Sequence, residues 1–367
     1  MKVAKWSRAL ETPEGHAGRL RARAGIPRYA ATLAILVVMM VWSLTVGSRA
    51  TPLWDSVVAI PDAIRYALSP TDSPLVGNPD KHAQLAVLIG GLRLPRTLVA
   101  LLAGAALGLA GGIIQGHTHN PLAEPGVLGI NAGAAAAFIG AAYAGVELHH
   151  IVGTVVAVTG AAVVTVVVFA FSTAGRGTMD PMAMVLAGVA LTALLMACVN
   201  AMVLASAEAL DAFRHWATGS VEGATMATVW AVAPIALIGC VLAFSQGRAL
   251  NLMDLGGASA HALGLSVRRA RMVGIASIAL LGGAAVAGAG PITFVGLVAP
   301  HIVRRWTGPD YRRILPYSAA VGAALTLGAD MIGRVIIQPA ELQMGIVLAI
   351  VGAPLFIGLI RSGKVGG

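Results

Sequence analysis

Charge is scarce in this chain: Asp, Glu, Lys and Arg make up 11% of its 367 residues, against 57% hydrophobic ones. Soluble domains carry about a quarter charged residues, so an ordinary water-soluble protein is excluded and a membrane class implied. A mean hydropathy of +0.82 agrees. Cysteine is nearly missing. Cys198 and Cys240 both lie inside apolar runs, give neither a disulfide framework nor metal-ligand spacing, and are read as small core residues. Catalytic signatures are missing as well. There is no His-Glu-x-x-His, and Gly219-Ser220-Val221-Glu222-Gly223 has its serine one place too early for a nucleophile elbow. Gly358 to Val365 approximates a phosphate loop, but Val365 stands where Ser or Thr would bind magnesium, and no helix is expected to follow. The chain is therefore expected not to be an enzyme and to hold no metal or cofactor. Energy for any uphill transport would come from another subunit.

The net charge of +9 reads as loop arginines that set membrane orientation, not as a nucleic-acid footprint. Residues 1–28 hold Lys2, Lys5, Arg8, Arg19, Arg21, Arg23 and Arg28 without an apolar period and are expected to form a basic, disordered cytoplasmic tail. The charge-free run Tyr29 to Ser48 that follows is long enough for a retained first span rather than a cleaved signal. Trp54 to Leu68 suggests an amphipathic patch at the interface. A charge at the bilayer centre costs on the order of 2.5–3.5 kcal/mol, so the later intervals between charges each hold one crossing. Arg271 to Arg304, split at Gly288-Ala289-Gly290-Pro291, holds two. The expected fold is an all-α polytopic membrane protein with about ten transmembrane helices, both termini cytoplasmic, and a permease domain over 29–367. Of the 25 Lys and Arg, only Arg49, Arg65, Lys81, Arg93, Arg96, Arg214 and Arg334 then fall outside, as the positive-inside rule demands.

Gly104, Gly108, Gly112 and Gly116 recur every fourth residue and give one helix a face that a neighbouring backbone can approach closely. That helix ends in the Pro-broken turn Asn120-Pro121-Leu122-Ala123-Glu124-Pro125-Gly126. A second Gly/Ala helix runs from Arg271 to Gly290-Pro291-Ile292 in the opposite sense, an inverted repeat with broken helices of the kind that lines transport pathways. His117 and His119 flank the Asn-Pro turn and are read as solvated loop residues. The longest inside loop, 248–267, offers a narrow apolar stripe of Leu252, Leu255, Ala258 and Ala262 that could lie on lipid or dock into a partner.

The stretches Arg93-Leu94-Pro95-Arg96-Thr97, Gln115 with Asn120 to Gly129, Leu186 to Leu191, Trp216-Ala217-Thr218-Gly219-Ser220, the 251–265 loop, Gly290 to Arg304 and Leu342 to Phe356 occur in order. Together they resemble the membrane permease subunit of type II ABC importers, which carry iron-siderophores, haem and cobalamin. The resemblance implies a multi-pass protein of a bacterial cytoplasmic membrane, paired with a second copy of itself or a close paralogue. It further implies cytoplasmic P-loop ATPase subunits that hydrolyse the ATP, and an extracytoplasmic substrate-binding protein. By matched position, Arg93, Arg96 and Arg334 are similar to the outer arginines that meet carboxylates of the binding protein, and guanidinium forks suit that task. Snorkelling to lipid phosphate is the other reading. Asp330, four residues before Arg334, is placed to pair with it. Asn120 and Leu122, with Thr178 and Met179, resemble the inner gate. The 251–265 loop, with Leu252, Leu255, Gly256, Gly257, Ala258, Ala262 and Gly264, resembles the ATPase-coupling helices, although Gly257 stands where the family usually has Glu. An iron chelate, siderophore or haem, is the expected cargo, and an ion-gradient-driven secondary transporter is the alternative.

Overall fold

A computed structural model describes residues 13–47, 51–70, 80–173, 181–337 and 340–361, and all regular structure among them is helical. In chain order the helices are α1 (Pro13–Thr45), α2 (Leu53–Val58), α3 (Ile60–Leu68), α4 (Lys81–Leu88), α5 (Leu94–Thr118), α6 (Ile130–Tyr143), α7 (His150–Thr173), α8 (Pro181–Ala205), α9 (Ala207–Trp216), α10 (Met226–Ser245), α11 (Gly247–Met253), α12 (Gly257–Ala262), α13 (Val267–Ala289), α14 (Val295–Thr307), α15 (Tyr311–Ile336) and α16 (Met344–Arg361). Among the described residues, six helical stretches are long and apolar enough to cross a hydrocarbon core: Lys81–Thr118, His150–Thr173, Met182–Ala205, Met226–Ser245, Val267–Ala289 and Tyr311–Ile336. Tyr29–Thr45, Ile130–Tyr143 and Met344–Gly358 are shorter apolar helices. Helix α1 already starts at Pro13, inside the segment expected to be a disordered tail, and continues into the apolar part. Residues 1–12 lie outside the described residues.

The helix that carries the glycine face is the hub. The span Lys81–Thr118 has 78% of its apolar window buried, against 17% for Met182–Ala205 on α8. The seam is antiparallel to α15. A Cβ on Gly104 would strike the Gly322 carbonyl and the Thr326 hydroxyl, one on Gly108 would strike the Ser318 carbonyl, Gly112 faces Leu315, and Gly116 faces Tyr311 and Leu250. Backbone therefore meets backbone along the middle of both helices, where dispersion contacts are densest. Thr326 Oγ1 donates to the Ala100 carbonyl at 2.8 Å across the seam. Gly111, off the four-residue period, gives the same close approach to Gly296 of α14.

Helix α5 does not start at Arg96. It continues from α4 through a π-helical turn, Ile89–Arg93, which absorbs Pro95 by loosening the ladder where proline has no N–H to give. Gly90 in that turn lies against the Ala63 carbonyl. The patch 54–68 is accordingly two short helices, with α3 packed on the turn through Ala59, Ala63, Ala86 and Ile89, while Trp54 stays exposed. The expected break after α13 is present: Gly290 has φ +70 and Phe294 φ +71, and α14 restarts at Val295. Cys198 is exposed on α8, not a core residue, because α8 is the least enclosed of the six spans.

If the α5–α15 seam organises the bundle, Gly108→Val should cost about 1–3 kcal/mol of overpacking strain. Gly223→Ala, where an added Cβ meets nothing within 4 Å, should stay within about 0.5 kcal/mol. Unfolding midpoints of both variants in one detergent measure the difference.

Candidate functional site

Helix α5 is 25 residues long, which sets its two ends roughly 37 Å apart. At the Arg96 end the side chains form one buried ionic network. Arg96 donates to Asp330 Oδ1 through Nε at 2.9 Å and Nη2 at 2.7 Å, and to Glu341 Oε2 through Nη1 at 2.5 Å. Asp330 Oδ2 accepts from Arg334, one turn further along α15. Arg334 is 1% exposed, and its Nη1 also donates to the carbonyls of Ser43 at 2.8 Å and Val46 at 2.9 Å. Arg93, 6% exposed, donates to the Leu44 and Thr45 carbonyls at 3.1 and 2.9 Å and to Thr51 Oγ1 at 3.0 Å.

The acceptors are the last carbonyls of α1, which have no partner within their own helix and sit at its negative end. Two arginines from distant segments therefore cap α1. Arg93 and Arg334, two of the three arginines expected to meet the binding protein, thus spend their donors inside the chain here. Buried guanidinium groups need acceptors on the spot, and α1 with Asp330 supplies them. Arg96 and Glu341, whose side chains are 11% and 15% exposed, form the outermost edge of the network.

Beside this end lies a cleft of about 1180 Å³ between the α6–α7 loop, α9 and residues 217–224, and Trp216, Thr218, Ser220 and Gln343 are among the residues lining it. Glu147, Glu208, Asp211 and Glu222 give it an acidic wall, with Arg214 the cation among the lining residues.

At the other end, α5 stops because His119 takes a left-handed conformation, φ +50. The turn beyond is self-held: Asn120 Oδ1 accepts the Leu122 N–H at 2.9 Å and the Asn120 carbonyl accepts the Ala123 N–H at 3.1 Å. Asn120 and Leu122 are both half-buried. Thr178 and Met179, expected to complete the gate, lie outside the described residues. Two residues that sequence reasoning assigned no role fasten the turn to α14. Glu124 Oε1 accepts the Phe294 N–H at 2.5 Å, and Gln115 Nε2 donates to the carbonyls of Ala123 at 3.3 Å and Gly296 at 3.3 Å. A carboxylate at the start of a helix suits its dipole, and a lone Gln in a Gly/Ala helix is the signal that could have marked Gln115.

Of the two histidines expected to be solvated, His119 is exposed beyond the helix end and His117 is not. His117 is still inside α5 and buried against Gly274 of α13, since the helix runs on to Thr118, two residues past Gly116. His119 is half exposed, yet its Nε2 donates to the Met253 carbonyl at 3.2 Å and stands 3.8 Å from Asp254 Oδ1. Burial pushes the Asp254 carboxyl up, while His119 and Arg304 pull it down. The turn expected to form the inner gate is thus in direct contact with the loop expected to couple to an ATPase.

That loop is not one amphipathic stripe. Gly256 at φ +91 breaks it into α11 and α12, a backbone state that side chains resist. Leu252 is half-buried, Leu255 and Leu263 are each 60% exposed, and Ala258 and Ala262 face outward while Ala260 faces in. Gly264, at φ +83, closes the segment after α12. Gly257 opens α12 with nothing within 4 Å of an added Cβ, so a glutamate fits there without collision.

Residues 35–362 match the FecCD transport family. The ferric enterobactin transport system permease protein of Escherichia coli K12 is 38% identical over 336 residues, covering 91% of this chain and 95% of that protein. The hemin transport system permease protein of Yersinia pestis is 38% identical over 277 residues, 73% of this chain and 83% of that one. A solved ABC transporter described as of the metal-chelate type, in an inward-facing conformation, superposes with a TM-score of 0.75 at 28% identity, covering 92% of this chain and 99% of its own.

Asp330→Ala should leave Arg96 and Arg334 without their shared carboxylate and cost about 3–5 kcal/mol, as broken buried pairs do. Replacing Arg334 by Met in the same chain should recover part of that loss. Thermal unfolding of both variants in one detergent reads the result.

Proposed function

The chain belongs to the FecCD transport family, and on that footing we propose that it is the permease subunit of an ATP-driven importer that carries an iron chelate, siderophore or haem, inward across a bacterial cytoplasmic membrane. One observation supports this reading above the others. An exposed loop with apolar Leu255 and Leu263 is joined through Met253 and His119 to the turn that ends the central helix. A loop that offers a partner an apolar face and touches a Pro-broken turn at the far side can convert docking into gating. The relatives' substrates, ferric enterobactin and hemin, support an iron chelate as cargo.

In this reading the protein crosses the membrane about ten times, α5 and α13 head the two halves of an inverted repeat, and both termini are cytoplasmic. The Arg96 end faces outward. Arg96 is the arginine left to meet a carboxylate of the binding protein, with Arg93 and Arg334 fixing the platform behind it. The cleft beside Trp216 lies where cargo is delivered. Asn120 and Leu122, with Thr178 and Met179, form the inner gate, and Leu252 to Gly264 receives the ATPase, which supplies the hydrolysis. The least enclosed span, α8, is the face that a second copy would cover.

Purification in mild detergent should bring down a P-loop ATPase. Vesicles holding that complex should take up ferric enterobactin or haem only with ATP and a binding protein. Uptake that persists without the ATPase would return the gradient-driven alternative, and no ATP-dependent uptake of either chelate would sink the iron-chelate assignment.

A further inference from the structure

Between the exposed coupling loop and the two helices of the glycine seam lies α11, only seven residues long. It has a grip on each. On one side Leu250, fully buried, packs over Gly116 near the end of α5, and the Met253 carbonyl accepts from His119. On the other side the Asn251 amide is used twice: Nδ2 donates to Asp310 Oδ1 at 2.6 Å, and Oδ1 accepts the Tyr311 N–H at 2.8 Å. Asp310 is the N-cap of α15 and accepts the Arg312 N–H at 3.0 Å. One first-turn donor of α15 is thus satisfied by a side chain from α11, and the cap of α15 holds that side chain in return. Tyr311 is itself steadied by Arg304, whose Nη2 donates to its hydroxyl at 2.9 Å. Beyond Met253 the chain turns out at Gly256 into the exposed segment.

We propose that Asn251 is the positioning residue that passes movement of the ATPase-docking loop to the α5–α15 pair. Pinned to Asp310, α11 moves as one piece with the start of α15, and the same short helix carries the carbonyl that holds His119 and the gate turn. Without the pin, α12 can shift while α11 slides across the ends of α5 and α15, and Asn120 and Leu122 stay where they are. Asparagine suits the place because one amide presents a donor and an acceptor together. This inference rests on the importer reading and adds a residue that neither touches cargo nor docks the ATPase.

The test uses the complex with its co-purifying ATPase in nanodiscs. Leu122→Cys in a Cys198→Ser, Cys240→Ser background reports the gate by its labelling rate with a water-soluble thiol reagent, with and without ATP and vanadate. Asn251→Ala should retain the ATPase, while the ATP-dependent change in labelling shrinks by about tenfold, the equivalent of roughly one buried hydrogen bond. The exchange Asn251→Asp with Asp310→Asn should restore it, since donor and acceptor trade places and asparagine also caps a helix well. A response like the parent's in Asn251→Ala overturns the proposal, as does an exchange variant that folds, retains the ATPase and still does not respond. If the parent retains no ATPase, the importer reading fails by itself. Hydrogen exchange of the chain alone then decides the pin: Asn251→Ala should speed exchange at 119–123 and 311–314 by about tenfold, and unchanged rates refute it.

Discussion

A helix with glycine at 104, 108 and 111 can be approached until the carbonyls of Gly322, Ser318 and Gly296 occupy the space where its side chains would begin. Lipid chains are as apolar as leucine, so helices in a bilayer gain little by hiding apolar surface from each other and must gain by fit. The seam between α5 and α15 is that fit. It fixes the spacing and antiparallel sense of the two helices, and so decides that Asp330 arrives beside Arg96 at one end and Tyr311 beside Gly116 at the other. The ionic network and the α11 contacts depend on this register.

The outer network adds a second constraint, on a segment far away in sequence. Helix α1 ends with carbonyls that no residue of its own can satisfy, and Arg93 and Arg334 reach them from α4–α5 and α15. The Ser43 and Thr97 hydroxyls share a buried hydrogen bond of 2.8 Å, and Tyr29 stacks on Tyr317 with centroids 4.1 Å apart. Helix α1 is thereby joined to the central pair near its end and at its middle. Arginine is the residue for this work because its fork can serve a carboxylate and two carbonyls at once.

The helical class, the glycine face, the broken turn after α5 and the break before α14 were all legible in the sequence, because each is a local pattern of period, glycine and proline. What was not legible depends on partners distant along the chain. Counting charges sorts Arg93 and Arg334 to one face of the membrane, but it cannot tell whether a guanidinium there turns to water or back into the protein, since their carbonyl acceptors lie 48 to 291 residues away at 44, 45, 43 and 46. The π turn that joins α4 to α5 ahead of Pro95 leaves no composition signal. Gly111 was off period because it serves α14 rather than α15. His117 read as loop because nothing in its neighbours shows that the helix lasts as far as Thr118.

The two ends of the central pair are fastened by different chemistry, and the difference bears on where the protein can move. At the Arg96 end, separating α5 from α15 would part buried charges, and stranding one such partner costs about 3–5 kcal/mol. At the α11 end the fastenings are single hydrogen bonds, to the Met253 carbonyl and through the Asn251 amide. Each of these is worth about 0.5–1.5 kcal/mol net for a neutral group, or up to about 3 kcal/mol where a charged one takes part. Between the two ends the seam brings backbone against backbone at Gly104 and Gly108. The junction of α11, the turn after α5 and α14 is therefore the more weakly fastened of the two ends. There Glu124 and Gln115 hold the turn to α14 by hydrogen bonds, and Pro125 packs on Gly296.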